Sequence, residues 1–318
     1  MRIKQMKTLK LVAAIAALTG SMGASAANID LFTDPVGTTK VSLAASVNST
    51  NTTITDSAST TTITPSSISG GIADLTPSSD FNLSSDGGTG SILGGYRGME
   101  VELISLDGNI STTGNAELLV SQNLSGVGRL TFNSSDGIVA RGTVQWDGNN
   151  NSTTLNTSAF NEDITDGGNA DRFIFDVISA DQGFNFSIGI YDADGSSVIF
   201  DLPATTTTLG TGSYSSTLLF SDFNNAFGTF TSNCTTAGIN PGVINSATCV
   251  NGTTAGIDFT NISAMELILN TSVIAGATAS LDMTIGGITT VPEPSSLALI
   301  GLGLMATGFA SKRKSKKA

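Results

Sequence analysis

Between Asn28 and Val291, apolar and polar side chains alternate in short runs, the pattern of strands with one dry face and one wet face. In MEVEL, Met99, Val101 and Leu103 alternate with Glu100 and Glu102. In GIVARGTVQW, Ile138, Ala140, Val144 and Trp146 share a face with Gly142. DRFIFDV sets Phe173, Phe175 and Val177 on one side, and FNFSIGIY does the same with Phe184, Phe186, Ile188 and Ile190. VIFDL, STLLF, IDFTNI, MELIL and LDMTI continue the pattern. No segment keeps a 3.6-residue apolar period over a helical length. Asp-Gly pairs at 107–108, 136–137, 147–148, 166–167 and 194–195 supply turns between the runs. Many short strands separated by such turns predict an all-β fold, an antiparallel β-sandwich of two sheets. Residues 41–65, VSLAASVNSTNTTITDSASTTTITP, read as a Ser/Thr-rich insertion or flexible excursion near the first strand.

The two ends break the alternation. Arg2, Lys4, Lys7 and Lys10 precede the apolar run LVAAIAALTG, and Ala24-Ser25-Ala26 follows as a small-residue cleavage site. That order of parts predicts a signal peptide over residues 1–26, export through the Sec machinery, and signal peptidase cutting between Ala26 and Ala27. At the other end, Pro292 and Pro294 stop any preceding strand, because proline has no N–H to donate. Leu297 to Ala310 is apolar or small, about 21 Å long as a helix against a hydrocarbon core of about 30 Å. The basic tail SKRKSKKA stays on the cytoplasmic side by the positive-inside rule. A short C-terminal transmembrane helix is therefore expected, with the body outside. Gly301, Gly303 and Ala306 fit a dinucleotide fingerprint in letters only, since no βαβ unit or acidic residue can follow them.

Pro292-Glu293-Pro294, the glycine-broken apolar segment and the basic cluster resemble the PEP-CTERM sorting signal, over residues 291–318. The resemblance implies that the chain is an exosortase substrate of a Gram-negative-type bacterium. It implies transient anchoring in the inner membrane, processing near the Pro-Glu-Pro, and a final place at the cell surface or in an extracellular matrix. Exosortases often accompany exopolysaccharide genes, so exopolysaccharide or biofilm is the implied setting. GGYRGMEVEL, VQWDG and DRFIFDVISADQGFNFSIGIYDADGS are also similar to jelly-roll-like bodies of secreted PEP-CTERM proteins. That similarity favours a jelly-roll-like sandwich for the body, residues 27–290.

Charge sharpens the choice of partner. Nine of the 14 Lys and Arg sit in the terminal segments and only Glu293 of the 26 acids does, so the body carries 25 acidic against 5 basic side chains, a net −20. Such a surface excludes nucleic acid and is compatible with cations or neutral polysaccharide. Cys234 and Cys249 are the only cysteines, and an even pair in an exported chain predicts a disulfide. The turn Asn240-Pro241-Gly242 lies between them.

The sequence has no histidine, which removes Ser-His-Asp and Cys-His catalysis and His metal ligands together. There is no nucleophile elbow and no P-loop. Glu100 with Glu102, and Glu162 with Asp163, are paired carboxylates of the kind a glycosidase uses, and the competing reading is chance pairing in a chain this acidic. Asp192 and Asp194 in YDADGSS supply half of a calcium loop; the third acid and the position-12 glutamate are missing. Hard oxygen ligands there would hold Ca²⁺ weakly, and the competing reading is a polar hairpin turn. Among the aromatics, Tyr191 falls opposite the Phe184/Ile188 face and points outward, whereas Trp146 shares the apolar face and belongs to the core. The expectation is a non-enzymatic, exported surface or matrix protein without a resident cofactor. The alternatives are a carbohydrate-binding module, with or without Ca²⁺, and a glycan-active enzyme.

Overall fold

The computed structural model describes residues 27–33, 38–47, 52–55, 60–63, 79–85, 91–106, 113–122, 127–148, 154–181, 183–204, 214–227, 246–253, 256–271 and 281–292. Residues 1–26 and 293–318, and so the signal peptide and the membrane helix expected there, lie outside these, as does Cys234. Among the described residues, no helix is long and apolar enough to cross a membrane.

Strands follow one another as β1 Asn28–Asp30, β2 Thr38–Val47, β3 Thr52–Thr55, β4 Thr60–Ile63, β5 Ser79–Ser85, β6 Tyr96–Leu106, β7 Thr113–Gln122, β8 Gly128–Ser134 and β9 Ile138–Trp146. Then come β10 Ala170–Ala180, β11 Phe184–Asp192, β12 Ser197–Ala204, β13 Tyr214–Leu219, β14 Ser246–Val250, β15 Ile262–Leu269 and β16 Asp282–Pro292. They form two antiparallel sheets. One runs β13-β10-β16-β8-β7-β2-β3-β4, with β1 paired to β16 beside it; the other runs β14-β12-β11-β15-β9-β6-β5. The chain passes between the sheets repeatedly, the wound course of a jelly-roll-like sandwich.

The alternating runs place one face of each sheet in a shared core that includes Met99, Val144, Trp146, Ile188, Leu267, Leu118, Phe132 and Phe173. Directly opposed residues share a face, and Ile190↔Met265, Met265↔Trp146 and Leu267↔Val144 carry the apolar set from strand to strand. At Gly142 the two sheets approach closely: a Cβ there would sit 2.9 Å from the Phe132 ring, so glycine leaves the space that the phenyl fills.

Three segments depart from the sequence reading. The Ser/Thr-rich stretch, read as an insertion or flexible excursion, holds paired strands in its described residues: β2, β3 and β4 pair in register and extend one sheet, which β-branched threonines favour on a pleated surface. STLLF does not stay extended. Its last residue opens α1, Phe220–Ala226, where Asp222 accepts from the Leu219 N–H at the first turn. Phe220 and Phe223 then stack on Phe259 and Phe200, with centroids 4.1 and 4.4 Å apart, and both rings meet Phe173 edge-on. IDFTNI is a turn rather than a strand, because Phe259 is taken into this aromatic cluster and β15 begins only at Ile262.

Candidate functional site

β1 brings together the described residues nearest the two expected processing positions, Ala27 and Pro292. Ala27, expected to be the first residue of the mature chain, lies beside β16: the Thr290 N–H donates to the Ala27 carbonyl at 2.9 Å, and the Ala27 N–H donates to Thr290 Oγ1 at 3.1 Å. Two residues on, Pro292 closes β16 opposite Ala170. Ala24, Ala26, Glu293 and Pro294 lie outside the described residues. The chain thus enters and leaves the described body at one end of one sheet.

A buried charge cluster fastens that strap to the opposite sheet. Asp30 Oδ2 accepts from Arg97 Nε at 2.5 Å and from Trp146 Nε1 at 2.7 Å; Asp30 Oδ1 accepts from Arg97 Nη2 at 2.5 Å and from the Phe32 N–H at 2.7 Å. The Arg97 and Asp30 side chains are both 0% exposed. The guanidinium also sits 5.4 Å from the Phe32 ring centroid. The core placement read for Trp146 is therefore right, and its indole nitrogen has a structural duty.

Asp192 and Asp194 do come together, in the turn joining β11 to β12. Asp192 Oδ1 accepts from the Asp194 and Ser196 N–H groups at 3.1 and 2.9 Å, and Oδ2 from the Asp258 N–H at 3.0 Å. Asp194 Oδ1 accepts from the Ser196 N–H and hydroxyl, and Oδ2 from the Thr253 hydroxyl. Burial, and then the neighbouring Asp194 carboxylate, push the Asp192 carboxyl up to about 6. Each carboxylate oxygen that a cation would need already accepts a hydrogen bond, from the turn itself for the two Oδ1 atoms and from Asp258 and Thr253 beside it for the two Oδ2 atoms. Among the described residues, no group of three or more His, Cys, Asp or Glu is arranged to hold a metal ion.

The carboxylate pairs are dispersed. Glu100 and Glu102 share the outer face of β6, but Glu102 is ion-paired with Arg141 across the ladder. Glu162 Oε1 accepts from the Gly94 N–H at 3.2 Å, and Asp163 Oδ1 accepts from the Thr165 N–H and hydroxyl. Those bonds, the hydroxyl's first, lower the Asp163 carboxyl below its ordinary range. Cys249 lies on β14 opposite Val198.

Two polar surfaces were not singled out in the sequence. A hollow of about 490 Å³ at the ends of β7, β8, β10 and β16 is lined by Asn115, Glu117, Asn133, Ser135, Asp181 and Asp282, among others. Its wall is held by reciprocal contacts, including the Asp282 N–H on Asp181 Oδ1 at 2.9 Å. The second is the outer face of the seven-stranded sheet. There Gly98, Gln145, Glu266 and Gly189 lie directly opposite one another on β6, β9, β15 and β11. Gln145 Nε2 donates to Glu266 Oε1 at 2.8 Å. Tyr191, half-buried, folds back over Gly189, where an added Cβ would lie 3.0 Å from its Cε2 and 3.1 Å from its hydroxyl oxygen. Burial first, and Glu266 second, push the Tyr191 hydroxyl up to about 12; burial raises the Glu266 carboxyl as well. The outward direction read for Tyr191 holds, but the glycine beneath its ring had no signal beyond its place two residues earlier.

No curated protein matches the chain. Among solved structures, it is similar to an exo-beta-agarase (14% identity, TM-score 0.31, 56% of this chain and 22% of that one). It is similar also to PfGH50B (11%, 0.31, 56% and 22%). A third is the family 11 carbohydrate-binding module from Clostridium thermocellum in complex with beta-1,3-1,4-mixed-linked tetrasaccharide (10%, 0.30, 67% and 88%). The chain spans 22% of the length of the first two. The match that identifies a function lies where β16 runs out: residues 290–314 fit the family model of the PEP-CTERM protein-sorting motif, and the chain carries that sorting signal from the last three residues of β16, the last described strand, onward.

Proposed function

We propose that this protein is an exported, exosortase-processed component of the cell surface or extracellular matrix. Its signal peptide, residues 1–26, is removed between Ala26 and Ala27. Residues 291–318 hold it in the inner membrane until the chain is cut near Pro292-Glu293-Pro294. The observation that carries this reading is the sorting motif at residues 290–314, which begins in the last three residues of a strand that ends at Pro292. Proline has no N–H to donate, so the described ladder ends at Pro292, within the motif. The body works by binding rather than turnover, and exopolysaccharide is its expected neighbour. Replacing Pro292 and Pro294 together by Ala is expected to leave full-length protein in the inner-membrane fraction. Normal maturation of that variant, followed by immunoblotting of membrane and released fractions, would count against the assignment.

A second reading, a carbohydrate-binding module, is favoured by one feature. The outer face of the seven-stranded sheet holds an aromatic ring, an amide and a carboxylate side by side at Tyr191, Gln145 and Glu266. Retardation of the protein in native gels containing glycan tests it; unretarded migration with every glycan tried would remove it.

A further inference from the structure

We propose that Tyr191, Gln145 and Glu266 form a binding subsite for a neutral, hydroxyl-rich polysaccharide on the outer face of the seven-stranded sheet; this rests on the carbohydrate-binding reading above and names its site. The floor is built by register. Gly189 stands opposite Glu266, which stands opposite Gln145, which stands opposite Gly98. Both flanking positions are glycines, so the row is low at its edges and polar at its centre. Tyr191, two residues along β11, lays its ring in the space that Gly189 leaves: its Cε2, hydroxyl oxygen and Cζ lie 3.0, 3.1 and 3.4 Å from where a Cβ would be. A tyrosine in a strand ordinarily stands away from the sheet. Here the glycine lets the ring fold back over the row, so that it borders whatever settles there.

The polar atoms beside the ring have unused capacity. Gln145 is 7% exposed and spends Nε2 on Glu266 Oε1 at 2.8 Å. Among the described residues, nothing hydrogen-bonds the Tyr191 hydroxyl or Glu266 Oε2, and Gln145 Oε1 likewise has no partner. None of these atoms is a sealed, unsatisfied group, since that condition is met among the described residues only by Thr271 Oγ1. They are open to a ligand from outside. A ring face packs on the C–H face of a pyranose, while a carboxylate oxygen and an amide oxygen accept from adjacent sugar hydroxyls. The charge selects among sugars. Burial raises the Glu266 carboxyl; the Gln145 bond and the Arg141 guanidinium, itself ion-paired with Glu102, act against this, Glu100 and Asp147 add to it, and the body is net −20. Uronate or sulfate polymers are repelled, and a neutral glycan is not.

The test uses the full-length protein in native gels containing mixed-linkage β-glucan, agarose or dextran, with alginate as the anionic arm. At least one neutral glycan should retard the protein and alginate should not. Tyr191→Ala should weaken that retardation about tenfold or more, and Gly189→Val, which keeps the ring but fills its seat, should weaken it too. Hydroxyl-radical footprinting of the unmutated protein gives a readout that does not depend on the variants folding: Tyr191 should be protected when the retarding glycan is present. Retardation of Tyr191→Ala equal to the parent, or unchanged Tyr191 labelling, overturns the subsite and leaves the glycan-binding reading standing elsewhere on the molecule. Absence of retardation by every neutral glycan overturns both. Stronger retardation by alginate overturns the choice of a neutral ligand.

Discussion

Asp30 accepts four hydrogen bonds inside the sandwich, two of them from Arg97, and none of the groups involved can reach water. Burying such a pair costs desolvation that a good fork geometry roughly offsets, but removing one partner leaves the other charge stranded. Asp30→Asn, which keeps the shape and deletes the charge facing Arg97, is therefore expected to lose about 3–5 kcal/mol in urea denaturation. A loss below about 1 kcal/mol would mean that water or a rearranged partner reaches the guanidinium. Asp192 works in the opposite sense. Its carboxyl is raised to about 6 in the folded chain, so between its unfolded value of 3.8 and 6 the native state binds more protons than the unfolded one. Stability from this group rises as pH falls from 7 towards 4. Comparing thermal midpoints at the two pH values, the parent should gain on acidification more than Asp192→Asn does. Equal gains would assign the pH response to other acids, of which Glu266, Asp222 and Asp282 are also raised by burial.

At the level of elements, the runs with the strictest alternation were the ones legible in the sequence. β6, β9, β10, β11, β15 and β16 all fall on MEVEL, GIVARGTVQW, DRFIFDV, FNFSIGIY, MELIL and LDMTI. A two-residue period reveals a strand but not its sheet. Asp136-Gly137 reads like a hairpin turn, yet it carries the chain from β8 in one sheet to β9 in the other, whereas Asp194-Gly195 does close a hairpin. α1 was hidden because seven residues are too few for a helical period to be visible, and its rings are fixed by partners distant in sequence. Likewise β1 is three residues long and held by Arg97 and Trp146, which no local pattern can announce. Its seat is narrow: a Cβ on Gly128 would come within 2.2 Å of the Leu31 and Phe32 backbone. Gly128→Ala should push the strap off β8, and hydrogen exchange should then speed up at Phe32, whose amide Asp30 holds. Unchanged exchange there would mean that β8 gives way instead. The expected Cys234–Cys249 bond would close a loop of about 15 residues, worth about 3 kcal/mol on the chain-entropy model. Peptide mapping without reduction should recover the linked pair, and two free thiols after native secretion would end the claim.

For the whole molecule, β1 lying on β16 sets Ala27 beside Thr290, so on the proposed reading the signal peptide and the sorting segment both join the body at one place. Thr290 bonds Ala27 on one side, and two residues later Pro292 ends the strand. A body tethered at opposite poles would be stretched between two attachment points until one was cut; here both tethers can sit on the same bilayer while every strand pairs. Folding should not have to wait for signal peptidase, and the Ala27 N–H donates to Thr290 equally well as an uncut amide. This predicts the outcome when the first cut is blocked with Ala24→Leu and Ala26→Leu, which put bulk where the peptidase requires small side chains. The variant should stay membrane-bound by its N-terminus, yet yield the same protease-resistant body as the parent and still lose its C-terminal segment. Limited proteolysis of intact cells, with immunoblots against each end, distinguishes the cases. If the doubly tethered chain is degraded throughout, the shared exit does not govern maturation, and removal of the signal peptide must come before the sandwich closes.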